Sequence, residues 1–259
     1  RGIGSVSGVP LDPLGVTNGI AGPGTAAVRV TQFLAGERVG LDDIEGHPRE
    51  AFIEAAVTAR LADGTVDGRF DPDAALTRGQ LAQYLVSGFG VRQSRPFDRV
   101  PVFDDVGKAL APFVEMVSAR GALIHTLDVE AKPAMLKGPG AGRFGPGLEV
   151  TREAAAYALV QSLGLQAAAE AFSGDLHYTT GTGQIVAIAD QDAIAPKLRG
   201  YVQKALDLGL IVPVLKQVDP ATTVARFKPK AVLVRWAWAE AAVQASLHQQ
   251  AQAVDQLGL

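Results

Sequence analysis

The chain has 259 residues, of which 47% are hydrophobic and 20% charged, with a formal net charge of −3 and no cysteine. This length suffices for a substantial core, and the composition excludes a disordered acidic or basic tail. Disulfides, thiolate zinc sites and a cysteine nucleophile are excluded outright, and no Lys/Arg-dense run offers the footprint of a nucleic-acid binder.

Residues 1–40 are rich in Gly and Pro (GVPLDPLGVTNGIAGPGTAA) and read as a linker or the tail of a preceding domain, leading into a short strand or helix at VRVTQFLAG. The chain begins RGIGSV, with neither Met nor a signal-peptide pattern, as expected of a processed product or a piece of a longer protein. From 41 the pattern becomes helical. Phe52, Ile53, Ala56, Val57 and Leu61 recur at about 3.6-residue spacing, which predicts an amphipathic helix closing at DGTVDG. GRFDPDAA follows. Thr77 and Gln80 then match a capping box that opens TRGQLAQYLVSGFG, and Gly88 or Gly90 can end that helix.

The same grammar returns twice. A helix is expected within 102–123, then GRFGP at 142–146, then Thr151 opening TREAAAYALVQSLGL. A third round runs from AIADQDAIAPKLRGYVQKALDLGLI through ARFKP into LVRWAWAEAAVQASL. Phe70 to Arg78, Phe144 to Arg152 and Phe227 to Arg235 are each eight positions apart, and Pro72, Pro146 and Pro229 each follow their Phe by two. Such self-similarity predicts an internal triplication. Each Pro fixes φ and biases the preceding residue toward extended backbone, setting the angle at which the second helix begins. One helix pair cannot bury its own apolar face, but three packed together can. Between the second and third rounds, TTGTG within 173–190 predicts a small hairpin. Apolar stretches break well before 18 residues, so no membrane span is expected.

These residues resemble S-layer homology (SLH) modules. Leu41-Asp42-Asp43-Ile44 and Phe103-Asp104-Asp105-Val106 match the family's opening segment, with Ala189-Asp190 weaker. The three Phe-x-Pro triplets match its middle. Thr77-Arg78-Gly79-Gln80, Thr151-Arg152-Glu153-Ala154 and Val234-Arg235-Trp236-Ala237 match its Thr-Arg-Ala-Glu helix start. The family's His-Trp-Ala opening is altered: His47 is kept, but Pro48, Leu110-Ala111 and Ile194-Ala195 stand where that motif would run. The third round has also lost its threonine cap.

The resemblance implies a mainly α fold, with three helix-loop-helix modules in a pseudo-threefold bundle. The modules fall at 41–92, 101–166 and 173–248, the last with an N-terminal insert, followed by a tail at 249–259. It further implies a non-catalytic, extracellular anchor for a secreted enzyme or surface protein, holding a bacterial secondary cell-wall polysaccharide, often pyruvylated, in grooves between modules. No cofactor and no metal are implied. Carried over, Arg78, Arg152 and Arg235 would meet the acidic sugar, since a guanidinium fork holds a carboxylate bidentately. Asp43, Asp105 and Asp190 would accept sugar hydroxyls. Trp236 and Trp238, two apart on a helix, point in different directions: one is expected in the core and the other, with Trp236 as the candidate, serves as a sugar platform or a partner contact.

Each of these has a plainer reading. The arginines can be salt bridges within the bundle, the aspartates helix caps. The alternative function is a structural or protein-interaction scaffold whose grooves no longer bind glycan. Gly140-x-Gly142-x-x-Gly145 spells a dinucleotide fingerprint, but flanking prolines and the repeat register argue against it. His47, His125, His177 and His248 show no metal-ligand spacing. Ser173, Asp175 and His177 lack a nucleophile elbow, and Asp63 and Asp67 are too few ligands for a calcium loop.

Overall fold

A computed structural model describes residues 31–34, 37–65, 67–92, 103–118, 122–124, 129–131, 134–219 and 222–257. Most of the expected 1–40 linker, the boundary stretch at 93–102 and His125 lie outside these residues. The chain divides into two compact units: one ends at Ala74 and takes in Val234–Val243, the other comprises Ala75–Leu233 and Gln244 onward.

In the first unit, β1 (Thr31–Leu34) and β2 (Glu37–Gly40) pair antiparallel. A 3-10 turn at Asp42–Ile44 leads to α1 (Glu50–Thr58). The predicted stripe is only partly the buried one: Ile53, Ala56 and Leu61 are sealed, whereas Phe52 and Val57 are half-buried. The core is completed by Phe70 and by Trp238 from α7 (Arg235–Leu257), both 0% exposed. Buried indole needs a partner for its N–H, and Trp238 Nε1 donates to the Leu61 carbonyl at 2.8 Å. The helix α7 runs on through 249–257, the stretch expected as a tail.

The second unit holds α2 (Arg78–Phe89), α3 (Ala111–Ser118), α4 (Arg152–Ser162), α5 (Gln166–Glu170) and α6 (Arg199–Asp207). Thr77 forms both halves of the predicted capping box, and Gly90, in the left-handed region, ends α2. Thr151 caps α4 by accepting from the Ala154 N–H. Residue Gly200 lets α6 approach α5 closely, since a Cβ there would lie 1.8 Å from the Ala169 carbonyl oxygen.

The short strands are β3 (Val91–Arg92), β4 (Ala122–Ile124) and β5 (Val129–Ala131), an antiparallel trio, and two hairpins. TTGTG does turn a hairpin, between β6 (His177–Thr179) and β7 (Ile185–Ala187). The other, β8 (Val214–Asp219) with β9 (Thr222–Arg226), falls in a stretch read from the sequence only as loop.

Three residues, each two positions before a motif arginine, close a ring of backbone hydrogen bonds in this unit. The N–H of Leu76 donates to Leu233, that of Leu233 to Val150, and that of Val150 to Leu76, at 2.8–2.9 Å. All three side chains are buried. A ring of this kind satisfies the polar backbone that an apolar centre could not otherwise accommodate.

Candidate functional site

The recurring Arg-Phe-x-Pro peptides are held from both sides. Asp43 accepts from the N–H groups of Phe70 and Asp71 at 2.7 and 2.6 Å. The carboxylate of Asp105 does the same for Phe144 and Gly145, and that of Asp190 for Phe227 and Lys228, all at 2.8 Å. The aspartates thus cap no helix. They clamp loops 27 to 40 positions away. Hydrogen bonding to the Phe144 N–H, foremost, holds the Asp105 carboxyl below the usual carboxylate range against a smaller opposing effect of desolvation.

The carbonyl of each Phe goes to an arginine from a different round of the motif. Arg78 Nε donates to Phe144 O at 3.0 Å, Arg152 Nε to Phe227 O at 2.7 Å and Arg235 Nε to Phe70 O at 2.7 Å. Each Nη2 takes a second carbonyl: Lys137, Val212 and Asp63 respectively. Each guanidinium also lies over the ring of its Phe, at 4.7, 5.2 and 4.7 Å from the centroid, within cation–π range. Burial pulls the Arg78 and Arg152 guanidiniums down from their ordinary value, opposed by Asp105 and Asp190. The fork geometry expected to suit a carboxylate is therefore occupied, at two of its nitrogens, by main-chain oxygens.

One groove of about 340 Å³ in the second unit brings Arg78 together with residues the sequence reading did not single out. Lys137 and Lys197 add positive charge, Glu170 a negative one, and Tyr157 and Tyr201 form an aromatic wall over apolar Met135, Leu136 and Leu198. The two tyrosine rings stand 4.7 Å apart at 57°. Tyr157 Oη donates to the Ala134 carbonyl and Tyr201 Oη to Glu170 Oε1, at 3.2 and 3.1 Å. Desolvation raises both phenols above their ordinary value, with Glu170 adding to the rise at Tyr201. Both act as neutral donors at any physiological pH. Arg152, Asp105 and Asp190 do not line this groove. Lys137 and Tyr157 had no motif to announce them.

In the first unit, Trp236 is half-buried under a basic side chain. Arg49 stands 5.8 Å over its ring and is ion-paired to Glu240 at 2.8 Å, while His47 lies 6.4 Å from it. His47 Nδ1 accepts from the Arg49 N–H at 3.0 Å, which places the ring proton on Nε2 in the neutral form. Trp236 is thus half-buried and Trp238 fully buried. The Gly140–Gly145 stretch is a turn with no helix opening on it, so it carries no dinucleotide fold. Among the described residues no cluster of His, Cys, Asp or Glu fits a metal ion, and no helix is long and apolar enough to cross a membrane.

Residues 40–82 match the S-layer homology domain family. The match takes in Asp43, Phe70, Pro72, Thr77 and Arg78, so the Asp43 contact to Phe70 and the capping box lie in a stretch similar to one such domain, and domains of that family are non-catalytic and associated with cell walls. A search of curated proteins finds no significant match to the chain.

Proposed function

We propose that the chain is a non-catalytic, extracellular anchor of three divergent SLH-like modules in a pseudo-threefold bundle, at 41–92, 101–166 and 173–248, tethering a secreted parent to an acidic secondary polysaccharide of the bacterial cell wall. The three-module reading is supported by the equivalent Asp–Phe–Arg bonding at the three motif sites and by the backbone ring of Leu76, Val150 and Leu233. The glycan reading rests on one observation: the groove that puts Arg78, Lys137 and Lys197 beside two tyrosine faces. Apolar ring faces stack on sugars while fixed cations attract an acidic substituent, the combination that polar ligands with carboxylates require.

In this reading Arg78 is the motif arginine nearest the ligand. Arg152 and Arg235 have the same setting on their own loops, and Asp43, Asp105 and Asp190 fix those loops. Each carboxylate oxygen has a second lone pair with which to accept a sugar hydroxyl. Trp236 offers a partly exposed ring as a further platform.

A scaffold role is the second reading, favoured by the commitment of the motif arginines and aspartates to main-chain groups. Co-sedimentation with Gram-positive sacculi, with and without their secondary polysaccharide, separates the two. The expected result is polysaccharide-dependent pelleting, lost in Lys137→Glu/Lys197→Glu and competed by free pyruvylated sugar. Equal, negligible pelleting of both proteins with sacculi of the source organism would leave the scaffold.

A further inference from the structure

The two hairpins of the second unit form a ledge that no part of the anchor reading uses. Ile188 bridges Ala225 in parallel register, and the Ala189 N–H donates to the Ala225 carbonyl at 2.9 Å, so the ledge runs β6, β7, β9, β8. Its inner face is set by Val186, Ile188 and Ala225, all buried. Side chains alternate across a strand, and directly paired residues share a face. The outer face therefore carries Ile185 and Ala187 from β7 with their partners Thr179 and His177 from β6, and Val224 and Arg226 from β9 with their partners Lys216 and Val214 from β8.

Much of that face is exposed where a soluble sheet is normally polar, with Val224 half-buried at its centre. Ile185 is 68% exposed and Val214 46%, and Val218 at the β8 bulge is 61% exposed. Lys216 and Arg226 are exposed beside them. Across the four strands the sole carboxylate is Asp219, at the turn end. An apolar surface flanked by cations of one sign disfavours a second copy of itself, because Lys216 and Arg226 would meet their like. A polysaccharide would leave the aliphatic side chains uncompensated. Short β-branched side chains flush with a sheet are poorly shaped to reach the acyl layer of a membrane.

We propose that this face docks an acidic amphipathic helix of a partner protein, its apolar stripe on Ile185, Val214 and Val224 and its flanking carboxylates on Lys216 and Arg226. Strands spaced about 4.8 Å apart make a four-strand ledge roughly 14 Å wide. A helix with its side chains is about 10–12 Å across, so one helix covers it. Charge at the flanks sets orientation and partner choice, and the aliphatic centre supplies affinity.

The test uses the full chain and a defined probe, an acetylated 18-residue peptide with a leucine stripe flanked by glutamates, beside the same peptide with lysines for glutamates. Amide shifts on titration should map to β7, β8 and β9 for the glutamate peptide alone. Lys216→Glu/Arg226→Glu should weaken it by about tenfold or more and gain binding to the lysine peptide, a charge-swap rescue that a merely structural change would not produce. Lys137→Glu/Lys197→Glu should leave peptide binding intact, so this docking and the glycan reading fail or stand separately. No binding, shifts elsewhere, insensitivity to the charge reversal, or stronger binding of the face to phosphatidylglycerol vesicles than to the peptide would each overturn the proposal.

Discussion

Arg235 donates its Nε–H to the carbonyl of Phe70, 165 positions earlier, while its guanidinium lies 4.7 Å over the ring of the same residue. The N–H of Phe70 is taken by Asp43. One phenylalanine, itself 0% exposed, thus has its donor, acceptor and ring face all satisfied by residues distant in sequence. Phe144 and Phe227 are held in the same way.

Removing this arginine should be costly. Arg235 is 5% exposed, and truncation to Ala leaves the Phe70 and Asp63 carbonyls without their donor. The expected loss is about 2–4 kcal/mol, from two charge-assisted bonds and the buried Phe70 carbonyl left without its donor. Urea unfolding would measure it. Arg235→Lys should not restore stability, because a single ammonium cannot reproduce the fork.

The clamp at Phe144 predicts an acid limb. The Asp105 carboxyl is held below its ordinary value in the folded chain, so the unfolded state binds protons first as pH falls. Its stabilisation is present above the unfolded carboxylate range near about 4 and is lost as pH drops through the lower folded value. Asp105→Asn should lower the urea midpoint at neutral pH and flatten this limb. A pH series of denaturation curves on both proteins gives the comparison.

The position between Phe and Pro is left-handed in each motif: Asp71 has φ 52°, Gly145 69° and Lys228 55°. Glycine alone adopts this conformation without steric cost. Lys228→Gly should therefore stabilise by roughly 0.5–1 kcal/mol, the relief of left-handed strain less the added freedom of the unfolded chain. Gly145→Ala should destabilise, since its Cβ would also lie 2.5 Å from Leu148 Cδ1. Thermal melts should move in opposite directions for the two variants.

The two tryptophans should behave unequally. Trp238→Ala empties a fully buried site and should cost about 3–5 kcal/mol, whereas Trp236→Ala should change stability by under about 1 kcal/mol. In the native protein, iodide should quench the Trp236 fluorescence and spare Trp238.

Glycan binding through the groove should weaken with salt. Lys137 and Lys197 are solvent-exposed, and the Debye length contracts from about 10 Å at 0.1 M to about 3 Å at 1 M. Sacculus pelleting measured across that range should fall steeply. Pelleting that does not respond to salt would point to stacking on Tyr157 and Tyr201 as the main attraction.

The local grammar could be read from the chain alone: the Thr77–Gln80 box, Thr151 as a cap, the TTGTG hairpin and the recurrence of Phe, Pro and Arg at fixed distances. Those features act within a few residues, where hydrogen-bonding groups and φ preferences are set by neighbours. What Arg78, Arg152 and Arg235 touch could not be read. Their spacing marked them as placed for a reason, but whether the fork meets a ligand or a carbonyl depends on which loop folding brings beside it. The same holds for the groove, where Lys137, Tyr157 and Lys197 stand far apart in sequence and carry no motif. It holds also for the β8–β9 hairpin, whose outward valines become a surface only because Ala225 and Ile188 turn the other face inward. Periodicity and capping are properties of a segment; a site is a property of segments that meet, and contacts between distant segments are decided by how the whole chain buries its apolar area.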